Sequence, residues 1–135
     1  MPDGSSVSVI KTSVHALLSL LFFVAGVGHL TVLHEDFAVI VPPPFDQRRD
    51  EIVVITGIME IMGGLGLLVP SLRNLTKLCL TLFLIAVFPA NIYGSQHGIK
   101  FRGQPHPSIP VRLALQILLV VLIWWSSPDE YQRFG

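Results

Sequence analysis

Charge is scarce in this chain. Only 13% of its 135 residues are Asp, Glu, Lys or Arg, where a soluble domain carries about 25%. Nine basic and nine acidic residues cancel, and the basic ones are dispersed. No cluster tracks a phosphate backbone, so nucleic acid is not an expected partner. Cysteine is nearly absent: Cys79 stands alone in an apolar segment. That excludes an intrachain disulfide and C-x-x-C redox chemistry.

Other chemistry is missing too. His15 and His29 are the histidines inside apolar segments. They lie on one helix about 21 Å apart, so they do not face each other across a haem. His34, His97 and His106, with Glu35 and Asp36 nearby, match no metal-ligand spacing. No Ser or Thr comes with a His–Asp arrangement, so no catalytic residue is expected. The glycines at 63, 64 and 66 fall inside an apolar span and make no phosphate loop.

What the chain has is apolar length. It is 51% hydrophobic with a mean hydropathy of +0.65. Four segments, 13–33, 52–70, 75–92 and 109–127, approach the roughly 20 residues that a helix needs to cross a bilayer. The expected fold is all-α: one membrane domain over 1–135, a transmembrane four-helix bundle, antiparallel, with two longer loops on one side. Lys11 and the uncharged run after it read as a retained span, not a cleaved leader. The lipid bilayer is the first expected partner, and the expected location is integral to a membrane, multi-pass.

The connections have their own signals. VIVPPPF at 39–45 should be non-helical and should lie at the interface or over the bundle mouth. Pro89 should weaken the third helix near its end. Ser108 suits an N-cap and Pro110 a first turn. Trp124 and Trp125 suit the headgroup belt, and Lys77 should snorkel to an interface. Four basic residues on the terminal side against five on the long-loop side leave orientation undecided.

One acid interrupts the second span. Glu60 sits mid-segment, where a charge costs about 2.5–3.5 kcal/mol or more in hydrocarbon. Gly57, Gly63 and Gly64 share its face and allow another helix to pack closely. Counting down from the span ends puts His29, Asn91, Arg112 and Gln116 in the same half of the bilayer. The expected site is therefore a polar pocket around Glu60, opening towards the long loops. Arg112 is the first candidate counter-ion and His29 the second. The other half is expected to be almost without polar groups, apart from His15 and Lys77 at its edge.

The motif order resembles the DoxX-like family of small four-helix membrane proteins. The likeness rests on AGVGHL at 25–30, IVPP at 40–43, TGIMEIMGGLGLLVP at 56–70, FPANIY at 88–93, RLALQ at 112–116 and WW at 124–125. It implies attention to His29, Glu60, Pro89, Asn91, Arg112 and Gln116. It also implies roles as diverse as a subunit linked to thiosulfate:quinone oxidoreductase and chaperones of receptor assembly. The lack of a cysteine pair disfavours maturation by thiol exchange. The leading expectation is a non-catalytic accessory or assembly subunit without a cofactor. It would bind another membrane protein, a second copy of itself or a small lipophilic ligand. The alternative is a membrane subunit of a quinone-linked oxidoreductase, with a quinone head group at Glu60.

Overall fold

A computed structural model of the chain describes residues 4–100, 103–104 and 107–126. They form five α-helices: α1 (Gly4–Leu30), α2 (His34–Ala38), α3 (Arg49–Leu68), α4 (Arg73–Gln96) and α5 (Ile109–Trp125). Short 3-10 turns at Phe45–Arg48 and Pro70–Leu72 lead into α3 and α4. Arg102, His106 and the tail from residue 127 lie outside the described residues.

Among the described residues three stretches are long and apolar enough to cross a membrane: Ser6–Leu30, Phe45–Leu68 and Pro70–Gln96. The fourth expected span is shorter. α5 has 17 residues, which makes about 26 Å of helix against about 30 Å of hydrocarbon.

The helix ends differ from expectation in ways the local chemistry explains. α4 does not stop at 92 but runs through Pro89 to Gln96. Pro89 removes one donor, yet nothing after it opposes the helix until Gly98. Gly98 takes φ +62°, and Ile99 N–H reaches back to the Gly94 carbonyl at 3.0 Å. That is a glycine-terminated helix end. Asp50 and Glu51 occupy the first turn of α3, where acids suit the helix dipole. Ser108 holds the N-cap position of α5, but its hydroxyl makes no capping hydrogen bond. Of the stretch 39–45 expected to be non-helical, 39–44 is so, and Phe45 opens the 3-10 turn.

Glycine sets the packing of α3. A Cβ built on Gly26 of α1 would meet the Gly57 carbonyl oxygen at 2.5 Å, and one on Gly57 would meet His29 Cβ at 2.8 Å. On α3's other side, Gly63 abuts Leu80 and Gly66 abuts Thr76, both on α4. These glycines are covered within the chain, so they offer no bare face to a second copy. The register is antiparallel for α1 with α3 and for α3 with α4.

One core cluster joins Leu18 and Phe22 of α1, Leu67 of α3, Leu80, Phe83 and Leu84 of α4, and Ile123 of α5. A smaller cluster places Ala38, Val41 and Val53 together, packed by Phe37 and Ile52. The segment after α1 thus folds onto the start of α3. Outward faces stay apolar: Leu17, Ile55, Met62, Leu75, Ile85 and Leu118 are all more than half exposed. Apolar surface on this scale is suited to an apolar surrounding.

Candidate functional site

Glu60 is sheltered by protein. It keeps 8% of its surface and His29 keeps 7%. His29 stands in the last turn of α1, and the glycine contact at Gly57 brings that turn onto α3, one turn from Glu60. His29 Nε2 lies 3.4 Å from Glu60 Oε2, yet Oε2 is buried and receives no hydrogen bond. The distance is within ion-pair range, but the pair is not in hydrogen-bond alignment.

Thr56 fixes the other side of the imidazole. Its hydroxyl donates to the Val53 carbonyl at 3.0 Å. Thr56 Oγ1 is then left to accept, so the contact at 3.4 Å is His29 Nδ1–H to Thr56 Oγ1. In this arrangement Nε2 and Oε2 are buried neighbours with no hydrogen bond between them. Phe37 of α2 roofs the site, its ring centroid 3.7 Å from that of His29.

Among the described residues none of the other expected pocket residues, Arg112 included, is ion-paired to Glu60. Arg112 Nε is buried without a hydrogen-bond partner. Gln116 donates from Nε2 to the Leu84 carbonyl of α4, while its Oε1 is buried and unpartnered. Asn91 Nδ2 donates to the Val87 carbonyl of its own helix at 3.3 Å. Leu80 stands beside Gly63, so Glu60 is level with about Phe83, and Asn91 lies about 12 Å further along α4. Counting along spans gives depth but not facing. Glu60 turns to α1, whereas Gln116 turns to α4.

The opposite half holds more polar groups than the expected His15 and Lys77: Ser19, Arg73 and Ser126 are buried there beside them. The Leu67 carbonyl accepts from His15 Nε2 at 2.7 Å and from Arg73 Nε at 2.9 Å. That carbonyl is among the last four of α3, which have no donor within the helix. Lys77 is buried, not snorkelling, with Nζ 4.8 Å above the Trp124 ring. Trp124 Nε1–H donates to Thr81 Oγ1 at 3.0 Å. The helix end itself was the available signal: a chain stop at Pro70 requires donors, and the cations just after it supply them.

Among the described residues no three His, Cys, Asp or Glu side chains gather to hold a metal ion. Cys79 is free and exposed on α4.

The profile of one protein family, described as a domain of unknown function (DUF8561), matches residues 18–127. No curated protein and no solved structure is similar to the chain at a significant level.

Proposed function

The chain belongs to the DUF8561 family, a domain of unknown function, and on that footing we propose a membrane-embedded accessory subunit that binds through the His29–Glu60 site. In this reading α1, α3, α4 and α5 cross the bilayer as an antiparallel four-helix bundle. Both longer connections then lie on one side. The DoxX-like order of motifs agrees with such an architecture and with a supporting role beside another membrane component.

One observation carries the reading: Glu60 Oε2 is buried without a donor, 3.4 Å from His29 Nε2. A buried carboxyl oxygen left unpaired is costly, typically about 1–3 kcal/mol or more. It suits a site whose last hydrogen bond comes from outside the chain. The fitting occupant is a small lipophilic molecule, or a partner side chain, bearing one hydroxyl or amide donor. It enters past Phe37.

A second reading follows from the same site. A carboxyl and an imidazole side by side under an aromatic ring suit a quinone head group, which takes up and releases protons with its electrons. The chain would then be the membrane subunit of a quinone-linked oxidoreductase, with the redox centre on another subunit.

Purification in mild detergent, with mass spectrometry of everything retained, tests both. Wild type should keep a lipophilic molecule or a partner chain that Glu60→Gln loses. Co-purified quinone favours the second reading, and a cofactor-free partner the first. Identical retention by the two proteins would remove the site from the function.

A further inference from the structure

One face of α3 carries more than the His29–Glu60 site. Asp50, Val53, Gly57 and Glu60 follow one another at steps of three and four residues, so they line up along that face. Gly57 receives His29 Cβ, and Glu60 lies 3.4 Å from the imidazole. Val53 packs with Ala38 and Val41. Asp50 Oδ1 lies 2.8 Å from His34 Nε2. The last two contacts fasten α2 and the residues after it to α3, and they differ in kind. Ala38 keeps 1% of its surface and Val53 2%, so the C-terminal end of α2 is held in a buried apolar cluster. His34, the first residue of α2, is held by an ion pair open to water, with 27% of its side chain and 71% of that of Asp50 exposed. Between the two fastenings stands Phe37, whose ring covers His29 at 3.7 Å.

We propose that α2 is a lid over the His29–Glu60 site, hinged at Ala38–Val41 and latched at its other end by His34 and Asp50. An exposed ion pair is weak, whereas a buried apolar contact is not. The latch therefore yields before the hinge. α2 swings out from its His34 end and carries Phe37 off the imidazole. The turn at 31–33, between α1 and α2, takes up the change. That the lid admits an occupant rests on the function proposed above; that it moves does not.

Hydrogen–deuterium exchange of the full chain in mild detergent, read by mass spectrometry, follows the amides of 34–41 and needs no occupant. Asp50→Ala and His34→Ala should each speed that exchange by about two- to five-fold, the scale of an exposed ion pair. Exchange in 53–68 and in α4 should stay as in wild type. The double variant should match the singles, because each removes the same latch. Glu51→Ala is the control. It takes an acid from the same turn of α3 and breaks the exposed pair with Arg48 at 3.9 Å, yet it should leave 34–41 unchanged. Modification of His29 by diethyl pyrocarbonate at one pH should rise with the exchange. In a Phe37→Ala background, where the roof is already gone, Asp50→Ala should add nothing, whereas a direct effect of charge on the imidazole would persist. Unchanged exchange at 34–41 in both single variants, a double variant faster than either, or an equal effect of Glu51→Ala would each overturn the lid. So would a rise that spreads through α3, or a labelling effect that persists in Phe37→Ala. Retention by Glu60→Gln is a separate measurement and decides the function proposed above, whichever way the lid is decided.

Discussion

Gly64 of α3 rests on the main chain of Ser19 in α1. A Cβ at Gly64 would stand 2.6 Å from the Ser19 carbonyl oxygen and 2.9 Å from the Phe23 nitrogen. Backbone cannot rotate out of the way as a side chain can. The same contact line, continued through Gly57 and Gly26, delivers His29 to Glu60.

Gly64→Ala is therefore expected to destabilise the fold by about 1–3 kcal/mol, the usual range for overpacking. Gly63→Ala should cost less. Its Cβ would meet Leu80 Cδ2 at 2.5 Å, the end of a side chain with rotamers to spare. Thermal unfolding in detergent compares the two. A larger loss for Gly63→Ala would mean that the α3–α4 seam, not α1–α3, sets the stability.

The Leu67 carbonyl gives a different kind of prediction. It accepts from His15 and from Arg73, and Leu67 is fully buried. His15→Leu or Arg73→Met alone leaves one donor in place and should cost about 1 kcal/mol. Removing both leaves the oxygen unpaired where water is absent. The double variant should then exceed the sum of the singles by about 1 kcal/mol or more. Strict additivity in a double-mutant cycle would show that the two donors are not alternatives for one acceptor.

Phe37 is the roof of the His29 site, and its loss should be felt as access before stability. In Phe37→Ala, His29 is expected to react with diethyl pyrocarbonate several-fold faster than in wild type. Peptide mass spectrometry resolves it from His34 and His97. His34 serves as the internal standard, because it pairs with Asp50 at 2.8 Å in a more open setting. An unchanged rate at His29 would place the entrance elsewhere.

These contacts show what the sequence could and could not convey. An acid in the middle of an apolar run is legible because its cost in hydrocarbon is large, and Glu60 is indeed enclosed. Neighbouring glycines were legible as close packing. The choice between His29 and Arg112 was not. Both count to a similar depth along their segments, and a count of depth says nothing of the way each helix is turned about its axis. The apolar stretch ends at 92, with Pro89 weighed as weakening the helix, while Gly98, the residue that closes α4, lies beyond that stretch. Ser19 and Ser126 carry no charge and left no mark on hydropathy. Ser19 is covered where Gly64 packs onto α1, a closeness that hydropathy does not report.

Whether α5 crosses the membrane decides the topology, and α5 is the helix with the least length to spare. At about 26 Å the helix matches the bilayer only if it stands nearly upright or thins the lipid around it. Two features favour crossing. Ile123 is fully buried in the core shared with α1, α3 and α4, and Trp124 and Trp125 lie under Lys77 and Lys11, as expected of an interfacial belt. Single cysteines placed in a Cys79→Ser background test this with a membrane-impermeant thiol reagent on sealed vesicles. Asp46→Cys and Lys100→Cys should label from one side, and Ser71→Cys from the other. An epitope tag after Gly135 should share the side of Ser71. If the tag instead appears with Lys100, α5 enters and leaves by the same face. The chain would then cross three times, and Arg112 would lie on a re-entrant helix.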